Sequence, residues 1–502
     1  MDRALSRYPV SRASHRLTIN PATSAFATLG IATLLLRFAQ LQNPIAGLDE
    51  QFYLLVGERM WHGALPYLDL WDRKPVGLFI LFAGIAALPG NGVLAANLMA
   101  AIAALATAWI IALIARRNVG WVPATMAGIF YLAGLNELWG DTAQSPLFYN
   151  LLIAIAALCT LRATVERDAP PNLLLSLTAM LLAGVAIQIK TSAVFQGVAF
   201  GLWLLWRTWR SCGPGNAARI ALPLMLTGAT PSLAAMAGYA VMGHFDAWWQ
   251  ANILSVLAKG APRDAAAMEM LKSTIVLTAP VGLLSLLGLW AATTRFSRWP
   301  QDLGFVLLWA MLAVADFFAI GGYFPHYALP LLLACTPLVA RAFALRQFGP
   351  LVFALAMLWP AAHALVFMPR TAAADRAAAH AVMTALPADT PSECMFIYEG
   401  PVAYYHLSHA CLVSRFAFTA HISSKREAHA LGIDPGVALR HAMARRPGTV
   451  LTMENSTWID RNPAMEREMA ALLKGRYHLA ARLPHRYYSR DEHLLMWRRN
   501  DL

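Results

Sequence analysis

The sequence predicts a mainly α-helical, polytopic membrane protein: a bundle of about eleven spans, short interfacial helices in its first outer loop, and a small C-terminal α/β domain. Three observations carry this. Apolar runs of about 20 residues, the length that crosses a hydrocarbon core, recur through the first three quarters of the chain. Of the 502 residues, 58% are hydrophobic and only 14% charged, where a soluble domain carries about a quarter charged. Stretches such as 92–115 and 273–293 have no polar face, which excludes a large soluble protein with amphipathic surface helices.

The first span is 22–41. Arg3, Arg7, Arg12 and Arg16 precede it. The apolar run is too long for the core of a cleaved signal peptide, so the segment is expected to stay, with the N-terminus in the cytoplasm. After the first outer loop comes Pro75–Leu88, an apolar run of about 14 residues and short for a span. Lys/Arg bias decides its place. If it lies along the membrane, 92–115 runs inward and ends at Arg116 and Arg117. The later inward spans then also end on arginines: 146–162 at Arg162 and Arg167, 192–206 at Arg207 and Arg210, 273–293 at Arg295 and Arg298, and 326–340 at Arg341 and Arg346. The outward spans are 119–136, 173–188, 220–241, 303–320 and 349–368. The net charge of +12 is thereby assigned to cytoplasmic loops and a basic C-terminal region. Nucleic-acid binding is excluded, since no aromatic-basic platform is visible.

Composition changes near Pro369. Residues 1–368 form the membrane domain and 369–502 an outer, periplasmic domain. Its expected strands are CMFIY, LVSRFAF, GTVLTM and YHLAARL; its expected helices are 424–446 and 461–474. Cys394 and Cys411 both fall in this domain, where an oxidising compartment leaves two possibilities open, a disulfide or two free thiols. The five cysteines form no metal-type cluster. Asn455-Ser-Thr457 fits the glycosylation pattern, which often matches by chance.

The stretch Gly47–Pro75 concentrates charge between apolar regions. It holds Asp49, Glu50, Glu58, Asp69 and Asp72, with Arg59, Arg73 and Lys74, and interleaves Trp61, Tyr67 and Trp71. With the topology above, the unusual polar residues fall outside: this loop, then Glu137 and Asp141, Lys190, His244 to Asp264, and the turn Tyr323-Phe324-Pro325-His326-Tyr327. A transporter or lipid flippase would instead place polar groups near mid-bilayer. A surface-polysaccharide polymerase or ligase remains a competing outer-face activity. Asp49 and Glu50 open an expected helix, 50–62. Asp49 can be read as its N-cap or as a general base, and the roles are compatible. Lys74 is either a snorkelling anchor or a phosphate ligand. Lys190, alone within GVAIQIKTSAVF, should face an anion or water. Arg37 is expected to snorkel. His326 fits an aromatic belt.

The pattern Asp49-Glu50, Tyr53, Gly63-x-x-Pro66-Tyr67-x-Asp69 and Lys74-Pro75 resembles the first outer loop of the polyprenyl-phosphate-dependent glycosyltransferases of the GT-C class. Within that class it is most similar to the family 39-like group, which includes protein O-mannosyltransferases, the aminoarabinose transferase of lipid A and lipopolysaccharide-core galacturonosyltransferases. Gly184 through Lys190-Thr191, and Tyr323 through Tyr327 followed by Pro330, agree in order. The resemblance implies Asp49 as catalytic base with Glu50 beside it, and Lys74 on the phosphate of the lipid carrier. Tyr53, Tyr67, Glu137, Lys190, His326 and Tyr327 are the further candidates for binding substrate. It implies a lipid-linked sugar as donor, an envelope acceptor and inverting single displacement. No cofactor or metal is required by that chemistry. The chain departs from the group's pattern at Val76, at Ala143–Pro146 and at Gly322, so sugar and acceptor stay open.

Overall fold

The structure, a computed structural model, describes residues 20–166, 168–295, 302–454, 460–487 and 490–502. Arg3, Arg7, Arg12, Arg16, Arg167, Arg298 and the Asn455–Thr457 motif lie outside the described residues.

Helices follow the apolar runs, and their ends follow local chemistry. In α1 (Pro21–Arg37), the Asn20 side chain accepts from Ala22 N–H ahead of the first turn. The loop helices α2 (Asp49–Met60) and α3 (Val76–Ala86) come next. The long α4 (Gly92–Val119) starts on Asn91, which accepts from Val93 and Leu94. Then come α5 (Trp121–Glu137), α6 (Ser145–Ala163), α7 (Leu173–Ile187), α8 (Val194–Cys212) and α9 (Pro214–Val241). Two single-turn pieces, α10 (Phe245–Trp249) and α11 (Ser255–Lys259), precede α12 (Ala265–Arg295), α13 (Leu303–Ile320) and α14 (Leu329–Phe343). Finally α15 (Gly349–Ala362) runs through a π turn into α16 (Met368–Ala385), so helix continues across residue 368. Among the described residues, eight helices are long and apolar enough to cross a membrane. The three other expected spans are also helical, as α5, α7 and α8. Where α7 and α9 cross, a Cβ on Gly184 would sit 2.2 Å from the Gly228 carbonyl, so only glycine lets these backbones approach.

The end of α1 and the start of α4 lie at the same end of the bundle, because Asn97 donates to the Gln40 carbonyl (3.0 Å). Residues 75–88 therefore do not carry the chain across, as the arginine bias required. At the opposite end, Asn118 donates to Asp302 (2.9 Å) and Arg207 to the Glu166 carbonyl (2.6 Å). Every residue of α2 from Glu50 to Gly57 is buried, so the protein packs around this loop helix on all sides. Its Tyr53 meets Phe82 of α3 (5.3 Å between centroids), its Phe52 meets Phe418 (5.5 Å), and its Gln51 accepts from Ala403 N–H (2.9 Å).

The C-terminal region is a small α/β unit. Short turns α17 (Thr390–Glu393), α18 (Ala403–Leu407) and α19 (Ala420–Ser423) connect its parts, with α20 (Pro435–Ala444) and α21 (Pro463–Leu473) as the longer helices. Strands β1 (Met395–Ile397), β2 (Thr449–Glu454), β3 (Tyr477–Tyr487) and β4 (Arg490–Arg499) form one sheet in the order β1-β2-β4-β3, parallel only between β1 and β2. Two expectations are corrected. LVSRFAF forms no strand: its sole bridge joins Leu412 to Met395, and the Arg415 carbonyl instead accepts from Trp71 N–H in the first loop (2.9 Å). Of 424–446 only α20 is helical, since Gly432 has φ +71 and the helix starts after the Asp434 cap. Cys394 and Cys411 are joined by a disulfide.

Candidate active site

The connections at one end of the bundle and one flank of the C-terminal unit enclose a chamber of about 790 Å³. Asp49, Glu50, Asp72, Arg73 and Lys74 line it from the first loop, and Asp141, Thr142 and Gln144 from the second. Lys190, Lys259, His326 and Tyr327 come from later loops, and His421, Arg426, Glu427 and Asp460 from the C-terminal unit.

Asp49 is not a cap. It is the first residue of α2, Leu48 holds the cap position, and no side chain caps the helix. The half-buried Asp49 carboxylate faces the chamber among cations. Burial alone would raise its pKa, but the charges of Lys74, His326 and Lys190 outweigh that and hold it below the ordinary value. Glu50 has its pKa shifted the other way. It is 6% exposed, its carboxylate accepts from the Thr142 hydroxyl, and burial raises its pKa to about 8. Gly47, under the Glu50 carboxylate, has φ +67, a left-handed conformation that favours glycine.

Lys74 lies over the Tyr53 ring (5.2 Å) and 3.8 Å from Asp72. Burial opposes its charge, but Asp49 and Asp72 outweigh that and raise its pKa well above normal. Lys190 begins the 3₁₀ turn Thr191–Ala193 and lies over the Tyr327 ring (4.2 Å). Its pKa falls to about 8, first through burial and then through the like charge of Lys74. His326 stacks beside Trp139 (6.3 Å) and Phe324 (5.9 Å), and packs edge-on against Tyr327 (4.5 Å).

Three expected substrate contacts do not line the chamber. Tyr67 is 1% exposed, packs on Tyr239 (5.2 Å) and donates to the Lys74 carbonyl (2.9 Å). Tyr53 lies beneath Lys74, also 1% exposed. Glu137 accepts from Trp359 (2.9 Å) and pairs with His363 (2.8 Å). Asp69 accepts from Leu65 N–H (2.7 Å), which folds the tight turn before the chamber. Arg37 does not snorkel. It is 2% exposed and donates to the carbonyls of Gly140 and Thr142 (both 2.9 Å), fixing the second loop under Glu50.

Sequence reasoning missed the wall supplied by the C-terminal unit. Glu427 pairs with Arg73 and with Lys259 (2.7 Å), tying the first loop, the end of α11 and the C-terminal unit together. Burial would raise its pKa, but Lys259 and Arg73 drive it far below normal. Burial lowers that of His421 to about 4. Asp316, buried within α13, was also missed; a charge inside an apolar run was the available signal. It interacts electrostatically with Lys190 and is one of the anions that residue was expected to face. Among the described residues, no group of three His, Cys, Asp or Glu side chains is placed to hold a metal.

Residues 72–241 match the model of a family described as dolichyl-phosphate-mannose-protein mannosyltransferase. No curated protein sequence matches the chain. Among solved structures, the fold is similar to that of ArnT from Cupriavidus metallidurans bound to undecaprenyl phosphate, at 13% identity, TM-score 0.64, and 95% of this chain against 98% of that one. The apo state of the same protein gives a TM-score of 0.65 at the same identity and coverage. The archaeal oligosaccharyltransferase AglB from Archaeoglobus fulgidus, in complex with an inhibitory peptide and a dolichol-phosphate, is similar at 12% identity and TM-score 0.52, over 86% of this chain and 69% of that one. The chain is a polytopic membrane protein with a fold similar to those of ArnT and AglB, and the family match within it begins at Asp72, a residue of the chamber.

Proposed function

We propose that this chain is an integral-membrane glycosyltransferase that moves a sugar from a polyprenyl-phosphate donor to an envelope acceptor, lipid, glycan or protein. The observation that carries it is the grouping of an ionised carboxylate, Asp49, with Lys74 and Lys190 in one chamber. In this reading the acceptor hydroxyl or amine attacks the anomeric carbon while Asp49 takes its proton. The bond from that carbon to the phosphate oxygen breaks, and the electron pair leaves with the polyprenyl phosphate. Lys74 and Lys190 stabilise the charge that develops there. One displacement inverts the anomeric centre. Glu50, kept protonated at neutral pH by burial, orients the second loop through Thr142.

Residues 1–368 would be the transferase domain and 369–502 a periplasmic domain that closes the chamber, with the chamber on the outer face of a bacterial inner membrane. The arginine ends of α4, α6 and α8 then face the cytoplasm. Cysteines introduced at Arg117 and Lys425, both exposed, should label from opposite sides of the membrane; labelling from one side would sink the orientation. The activity is tested with purified protein, an undecaprenyl-phosphate sugar and envelope extracts. Transfer is expected, and Asp49→Asn should abolish it. Full transfer by that variant would remove Asp49 as the base.

A further inference from the structure

A second concavity, of about 690 Å³, lies across the first-loop strip from the chamber. Leu68, Asp69 and Leu70 line it, while Asp72, Arg73 and Lys74 of the same strip line the chamber. Trp71 stands between them, 2% exposed, with its N–H on the Arg415 carbonyl (2.9 Å). Its size falls within the range of about 300–1,000 Å³ usual for small-ligand sites.

Its charge is one-sided. Arg59 at the end of α2, Arg415 after the disulfide-bonded Cys411, and Arg445 just past α20 converge on it from three separate elements. His62 and His441 add two imidazoles. The only carboxylate in the lining, Asp69, is occupied by Leu65 N–H. Among the described residues, Arg59, Arg415 and Arg445 form no ion pair, and Arg59 spends one nitrogen on the Ala410 carbonyl (2.7 Å). Several other arginines in the C-terminal unit behave differently: Arg426, Arg440, Arg461, Arg482, Arg498 and Arg499 each pair with a carboxylate. Arginines that converge from three elements without carboxylates present planar donor forks suited to phosphate or carboxylate.

We propose that this cleft binds the anionic substituent, phosphate or carboxylate, of an acidic saccharide that serves as acceptor. The acceptor role rests on the transferase reading above; the anion site rests on the cleft alone. Arg415 and Arg445 are exposed, so neutralising them leaves the core intact.

Full-length protein in nanodiscs of neutral lipid is titrated calorimetrically with trigalacturonate, with fructose 1,6-bisphosphate, and with the uncharged methyl ester of trigalacturonate. At least one anionic sugar should bind and the ester should not. The double variant Arg415→Gln/Arg445→Gln should bind about tenfold or more weakly, with undecaprenyl-phosphate binding unchanged. Failure of both anionic sugars to bind, or equal binding by the variant, overturns the site. A response only to phosphatidylglycerol placed in the nanodisc overturns the saccharide assignment in favour of a lipid headgroup. If undecaprenyl phosphate fails to bind wild-type protein while the anionic sugar still does, the transferase reading falls and the cleft stands.

Discussion

The two walls of the chamber hold charge in different ways. On the bundle side, Asp49, Lys74 and Lys190 bias one another without pairing together; Lys74 keeps a long ion pair to Asp72 (3.8 Å), and the Lys190 ammonium rests on an aromatic ring. On the side of the C-terminal unit, Glu427 is locked between Arg73 and Lys259, and Arg426 is held by Asp264. Charges left open to the chamber can meet a substrate; charges already satisfied hold the wall in place. On the transferase reading proposed above, the bundle wall would carry the chemistry and the other wall the shape.

The largest expected effect tests the open wall. Asp49→Asn keeps the shape and removes the base, and kcat should fall about 10²–10⁴-fold, read in the transfer assay with a thermal melt as control. Glu50→Gln sharpens the contrast between neighbours. Burial keeps Glu50 protonated near neutral pH, so glutamine copies its shape and charge. Activity at pH 7 should stay within a few-fold of wild type, and a loss as deep as that of Asp49→Asn would show that Glu50 acts ionised. Lys74→Met removes a fixed cation from the leaving group. A loss of about 10²–10³-fold in kcat/KM is expected, with the fold retained.

On the locked wall, Glu427→Gln should act on stability first. Breaking a buried pair by removing one partner costs about 3–5 kcal/mol, read as a lower midpoint of thermal or denaturant unfolding. The pH dependence follows from the same pair. Glu427 has a depressed pKa when folded, so its contribution is present above the unfolded carboxyl value, about 4.3. It is lost as pH falls from there towards the folded value. Wild-type protein should therefore lose stability below about pH 4 more steeply than Glu427→Gln does.

Legibility in the sequence follows the same division. Lys190 stood out because its neighbours are apolar, and Asp49 and Lys74 because their charged stretch lies between apolar regions; polarity at a membrane end is a strong signal. Glu427 and Arg426 lie in a stretch already rich in charge, so nothing marked them before the fold brought them to Arg73 and Asp264. Arg37 gave a visible signal, but its partners are backbone carbonyls more than a hundred residues away, which no pattern records. The span positions were legible from apolar length and arginine bias. The strand expected at LVSRFAF was not formed, because its Arg415 carbonyl serves the first loop. β4 was missed even though it lies between β2 and β3 and buries Leu494 and Met496, because its flanking charges hide that alternation.

The smallest effect separates support from contact within the first loop. Tyr67 was expected at the substrate, yet it lies behind Lys74 with its hydroxyl on the Lys74 carbonyl (2.9 Å) and its ring against Tyr239 and Phe79. It also holds a positive φ of 74°, a conformation that the surrounding packing must sustain. Tyr67→Phe keeps the ring and deletes one hydrogen bond. The net cost should be about 1 kcal/mol of stability, since the Lys74 carbonyl loses its buried donor. Lys74 should then be less well fixed, and the donor KM should rise a few-fold with kcat nearly unchanged. A hydroxyl that touched the reacting groups would instead cost kcat, so a hundredfold fall in kcat with normal stability would return Tyr67 to the chamber.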